Sequence, residues 1–134
     1  MVRSDQLEDP LGNRLSSREP APGVLHFQAS GRLSLEVARR ILEFTEGRRT
    51  PGLAAFHDWW GVESYDTKAR YLLTKWVVTN RQAIREAHVL SRSRLVRMGV
   101  SVANISVAGI GVLHDGHESF AEALRKASPL AQAS

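Results

Sequence analysis

The side chains best suited to chemistry fall in two places. His57 and Asp58 are adjacent in FHDWWGVESYDTKAR, residues 56–70, and His114, Asp115 and His117 cluster in VLHDGHESF. Imidazole and carboxylate together suit Zn²⁺, Mn²⁺ or Fe²⁺, so these five residues are the candidate metal ligands. No cysteine is present, which excludes disulfides, thiolate metal sites and thiol nucleophiles.

The elements that must position these pairs argue against a shared ion. Neighbours on a strand point to opposite faces, so His57 and Asp58 converge only where their strand has ended. A strand around His88–Ser91 is expected between the two pairs, which sets them roughly 9–10 Å apart. Metal-dependent phosphohydrolases that use adjacent His-Asp ligands are all-helical, and this chain is not. The expectation is therefore no metal and no other cofactor, with Asp58 and Asp115 serving as caps at strand ends. His26 and His88 read as structural histidines within strands.

At 134 residues and 43% hydrophobic content the chain is one domain with a core of its own. The start, MVRSDQLEDPLGNRL, has no apolar signal segment, and no apolar run is long enough to span a membrane. A cytoplasmic protein is the expectation. Formal charge is +4, and from Lys68 to Arg97 eight basic residues face one acid, Glu86. Such a stripe can meet phosphate, but no nucleic-acid-binding motif or Gly-rich phosphate loop accompanies it, and a solvated helix face is the simpler reading.

Along the chain, residues 1–9 read as a flexible tail, 10–128 as the domain and 129–134 as a C-terminal tail. PLGNRLSS reads as an edge strand, REPAPG as a turn, and VLHFQAS alternates as a half-buried strand. Gly31 is expected to break that strand. Ser34 caps a helix that stops at Gly47. Leu53–His57 reads as a buried strand followed by a loop over 59–65, and Asp66 as the N-cap of a helix with Ala69, Leu72, Leu73, Trp76, Val77, Asn80 and Ile84 on one face. His88–Ser91 and IGVLHD read as strands, and Glu118–Lys126 as the last helix. RLVRMGVSVANISVAG has helical apolar spacing but many β-branched residues, and is ambiguous. The order β-β-α-β-α-β-α-β-α implies an α/β fold with a mostly parallel sheet of four to five strands, four helices, and an antiparallel first strand at an edge.

GRLSLEVARRIL, FHDWWGVESYDTKAR, VLSRSRLVRMGVSVANIS and VLHDGHESFAEAL, in that order, resemble the STAS domains of anti-sigma-factor antagonists. The likeness is closest to bacterial STAS-like proteins grouped with CRAL-TRIO lipid-exchange domains, and covers roughly residues 11–127. In those antagonists an Asp ends the third strand and a phosphorylatable Ser opens the next helix. Asp58 matches that Asp. The compact Asp-Ser-Ser-Gly-type turn is replaced by DWWGVESYDT, so Ser64 and Thr67 become the candidate phosphorylation sites.

The resemblance implies a non-enzymatic regulatory module that binds a protein partner, such as a kinase or anti-sigma-like protein, or a second copy of itself. The expected surface is Asp58, Trp59, Trp60, Ser64, Asp66, Thr67 and Arg70. Two alternatives stand beside it: a carrier for a small apolar or lipid-like molecule, and a metal-dependent hydrolase using both His-Asp pairs.

Overall fold

The computed structural model describes residues 4–48, 50–106 and 111–128. Six strands form one sheet in the order β1-β2-β3-β4-β5-β6. They are β1 (Ser4–Glu8), β2 (Arg14–Ala21), β3 (Val24–Leu33), β4 (Leu53–Tyr65), β5 (Ile84–Leu90) and β6 (Gly111–His114). The helices are α1 (Leu35–Glu46), α2 (Thr67–Thr79), α3 (Arg94–Ser106) and α4 (His117–Ala127), with a 3₁₀ turn at Arg81–Ala83. β1–β2 and β2–β3 are antiparallel, and the three remaining pairings are parallel.

Because strands β3 to β6 follow one another in space as in sequence, crossovers of one hand place α1, α2 and α3 on the same face. Val37, Ala38, Ile41 and Phe44 of α1, Ala69 of α2 and Val96 of α3 share a core there with Leu25, Phe27, Leu53, Trp59 and Val89. α4 follows the last strand and makes no crossover. It covers the other face, where Phe120 and Ala127 pack on Val24, Ala54, Phe56 and Leu90. The α/β class, the four helices and the antiparallel edge agree with the sequence reading; the strand count rises to six.

Ser4–Glu8, expected within a flexible tail, pairs with β2 in full register. Its anchors are tertiary: Asp5 takes two hydrogen bonds from the Arg40 guanidinium on α1, at 2.6 and 3.1 Å, and Leu7 packs on the core. β2 runs on to Ala21, so the turn narrows to Pro22 and Gly23. Gly31 continues β3 instead of ending it. Its φ of 87° suits glycine, and a Cβ there would lie 2.6 Å from Asn13 Oδ1, which accepts the Arg32 N–H.

The loop expected over 59–65 is also strand. β4 carries one extra residue between Asp58 and Gly61 and another between Val62 and Ser64, and these bulges let it follow β3 to Leu33 and Tyr65. The ambiguous segment is helical over its described part, α3, where Val96 is buried in the core and Val102 is exposed; its last residues lie outside the described ones. The caps at Ser34 and Gly47 stand as expected, with the Ser34 hydroxyl accepting from Val37 N at 3.2 Å. The C-terminal tail expected over 129–134 lies outside the described residues.

Candidate functional site

The seven residues expected to form one partner surface are divided by the sheet. Trp59 is buried at 7% exposure among the α1–α3 core residues, whereas Trp60 is half-buried on the α4 face against His117, with ring centroids 4.5 Å apart. The tryptophans are consecutive on a strand, so alternation sends them to opposite layers. Asp58 accepts the Trp60 N–H at 3.1 Å.

Ser64 and Asp66 converge on Arg32, whose Nη1 donates to Ser64 Oγ at 3.0 Å and whose Nε donates to Asp66 Oδ1 at 2.5 Å. Asp66 occupies the N-cap position of α2, yet its side chain turns to α1 and accepts from Leu35 N at 3.3 Å. Thr67 is exposed at the first helical position. Arg70 points inward, with its Nε buried.

The metal candidates are equally dispersed. His57 stacks on Phe27 in the α1–α3 layer, while Asp58 belongs to the other layer. β5 lies between β4 and β6, as expected. His114 is buried, and both its ring nitrogens are occupied: Nε2 meets His88 Nδ1 at 2.8 Å and Nδ1 meets Ser119 Oγ at 2.8 Å. His88 Nε2 lies 3.2 Å from Glu86 Oε1.

With both rings neutral, one proton arrangement satisfies these ring contacts while giving up the Ser119 Oγ–Gly116 carbonyl contact at 3.3 Å. Ser119 donates to His114, His114 to His88, and His88 to the Glu86 carboxylate. Burial, and then the neighbouring His88, hold the His114 pKa below its ordinary value. Asp115 and His117 are exposed at the start of α4. Among the described residues no group of three or more His, Asp or Glu is arranged to hold a metal ion.

The basic residues from Lys68 to Arg97 form no single stripe. Arg97 Nη1 donates to the Ser91 and His114 carbonyls, the Arg92 guanidinium lies over Trp60, and Arg70 is turned inward.

What the residues do build is a cavity of about 160 Å³ between the sheet and α1, α2 and α3. Its floor has a simple origin in the register. Ala55 of β4 pairs with Ala87 of β5, and Ala87 pairs with Gly111 of β6, so three small residues lie in a row across adjacent strands. Gly99 and Ala103 of α3 are small as well, and line the same space. α2 fully buries only Ala69, and its Leu73, Trp76 and Val77 form part of the wall.

Apolar groups dominate the lining, but His57, Trp59 and Arg70 also contribute. His57 Nδ1, Trp59 Nε1 and Arg70 Nε are each buried without a hydrogen-bond partner. Burial, and then the charge of nearby His26, push the His57 pKa down to about 4, so the ring is neutral at pH 7. Sequence reasoning had assigned Trp59 and Arg70 to an outer surface and missed Ala55, Ala87 and Gly111. Their only sequence signal is small size at inward-facing positions.

A solved structure from Shewanella loihica PV-4, an uncharacterized protein of the DUF3478 family with a SpoIIAA-like fold, is similar to this chain. The two share 18% identity over 92% of this chain and 98% of that one, with a TM-score of 0.58. The chain has a SpoIIAA-like fold. This agrees with the resemblance to STAS domains drawn from the sequence. No protein-family model and no curated protein matches the chain. In this SpoIIAA-like fold the junction between β4 and α2 is the place where Arg32, Ser64 and Asp66 meet, and the cavity opens behind it under α2. No helix among the described residues is long and apolar enough to cross a membrane.

Proposed function

We propose that this SpoIIAA-like protein is a non-enzymatic binding module that holds a small apolar molecule beneath α2 and α3. The observation that carries the reading is the apolar cavity over the Ala55–Ala87–Gly111 row. Close packing is the rule in protein interiors, and an apolar cavity of about 150 Å³ is large enough for benzene. This space is of the same size, so it takes a single ring or a short branched chain. The carrier alternative drawn from the sequence is thus supported at small-molecule scale.

Toluene titrated into the full chain, refolded from urea to remove any retained ligand, tests it. Saturable shifts of Trp59 and Trp76 fluorescence are expected, because both indoles line the cavity. Ala87→Leu should abolish them. No saturable change at the solubility limit of toluene refutes the reading.

A second reading keeps the regulatory role and rests on α3, where Leu95, Met98 and Val102 recur on one face at 49%, 62% and 49% exposure. Such a stripe suits a protein partner or a second copy of the chain. Thr67, exposed at the start of α2, is the better phosphorylation candidate there, because the Ser64 hydroxyl is engaged by Arg32. A second copy on this face gives a dimer mass by light scattering that Met98→Glu returns to monomer. A monomer at all concentrations refutes the homodimer.

A further inference from the structure

We infer that Ser119 is an acyl-acceptor site, a serine activated for covalent modification by a small ester or thioester. The observation behind it is the relay Glu86–His88–His114–Ser119. None of the four lines the cavity, so the inference goes beyond the binding reading and does not rest on it. Glu86 and His88 are two residues apart on β5 and so share a face. His114, at the end of β6, reaches His88 diagonally, because the register pairs His88 with Val112. Phe56 stacks on the His88 ring with centroids 4.5 Å apart, and Phe120 meets the His114 ring edge-on at 5.6 Å, so packing holds both imidazoles in place. Ser119, in the first turn of α4, is exposed and open to a reagent from solvent.

A serine hydroxyl is a weak nucleophile until an adjacent base takes its proton, and that base works when a third group holds its other nitrogen. His114 Nδ1 lies 2.8 Å from Ser119 Oγ, and its Nε2 is held at 2.8 Å by His88, which is held in turn by Glu86 at 3.2 Å. As Oγ bonds to the acyl carbon, its proton passes to His114 Nδ1. The carbon–sulfur or carbon–oxygen bond to the leaving group then breaks, and His114 returns the proton to the departing thiolate or alkoxide. Between these steps the imidazolium is balanced through His88 by the Glu86 carboxylate. The oxyanion forms beside the first turn of α4, whose N–H groups receive no side-chain cap. Burial, and then His88, hold the His114 pKa below its ordinary value against the smaller opposing effect of Asp115, so the ring is free to accept the proton at pH 7. The other charges about the relay are Arg85, 3.8 Å from the Glu86 carboxylate, and Arg97, which binds the His114 carbonyl.

An alkyl fluorophosphonate tests it on the full chain at pH 7, read by intact mass and peptide mapping. The reagent phosphonylates activated serines with loss of fluoride and leaves ordinary ones untouched. A single adduct at Ser119 is expected, and none in urea. Ser119→Ala, a change at an exposed position, should abolish it. His114→Phe, with its folding checked by circular dichroism, should slow labelling at least about 100-fold, as loss of a general base warrants. Glu86→Gln keeps an acceptor for His88 but not the charge. It should slow labelling severalfold and lower the midpoint of the pH profile, which in the unaltered chain already lies below 6.5. A midpoint that stays in place removes Glu86 from the relay. No adduct, an adduct at another residue, or labelling of Ser119 at an unchanged rate in His114→Phe overturns the inference.

Discussion

Ala87→Leu measures whether the space under α2 is empty. Ala87 lies on β5 at the middle of the small-residue row, between Ala55 and Gly111. The cavity of about 160 Å³ is partly open, and each methylene that becomes buried in it is worth about 0.8 kcal/mol. The three carbons that leucine adds are worth about 2 kcal/mol when buried there, from which about 0.5–1 kcal/mol of side-chain entropy is lost. The net expectation is a gain of about 1 kcal/mol, or about 4 °C in Tm for a domain of this size.

A filled core gives the opposite sign, because overpacking costs about 1–3 kcal/mol. Urea denaturation of the refolded chain, followed by circular dichroism, reads the difference directly. A lower midpoint at unchanged slope, equivalent to a loss of about 1 kcal/mol or more, refutes the cavity argument.

Three further perturbations probe the surrounding packing. A Cβ on Gly99 would lie 2.7 Å from Tyr65 Oη, so Gly99→Ala should destabilise by about 1–3 kcal/mol; in a Tyr65→Ala background the same change should instead stabilise by about 1 kcal/mol through helix propensity, a reversal that a double-mutant cycle detects. Asp66→Ala removes the acceptor shared by Arg32 and the first N–H of α1, and should cost about 1–2 kcal/mol in urea unfolding, with most of the loss recovered in Asp66→Asn only if the α1 cap outweighs the ion pair. The pKa values of His57 and His26 are lowered to about 4, both mainly by burial, and that of His114 is lowered too. Since the unfolded chain protonates these rings first, stability is full above about pH 6.5 and declines toward pH 4, by about 1.4 kcal/mol per pH unit for each of His26 and His57, with His114 acting in the same direction; His57→Phe should flatten that slope by one proton, and an unchanged slope counts against a neutral His57.

Much of the architecture is local and was therefore legible in the chain. Ser34 and Gly47 bound α1 because a cap hydroxyl and a glycine stop act within one turn, and the faces of α1 and α4 follow from apolar spacing; the face expected on α2 was drawn too long, since α2 ends at Thr79 and Ile84 opens β5. The alternation of strands with helices required a parallel sheet, and with it the STAS-like layout. The errors fall where stability comes from a distant segment. Ser4–Glu8 has no strand pattern of its own and is held by Arg40, thirty-five residues from Asp5. The segment 59–65 looked like a loop because two bulges disrupt its period, yet β3 supplies a partner as far as Tyr65.

The candidate site shows the same division. The chain displays His57, Trp59 and Arg70 as separate residues, and alanines as unremarkable ones. That Ala55, Ala87 and Gly111 align to leave a cavity depends on the register of three strands up to fifty-six residues apart. Register is set by the pairing and packing of whole strands, and so it is decided only when the sheet forms.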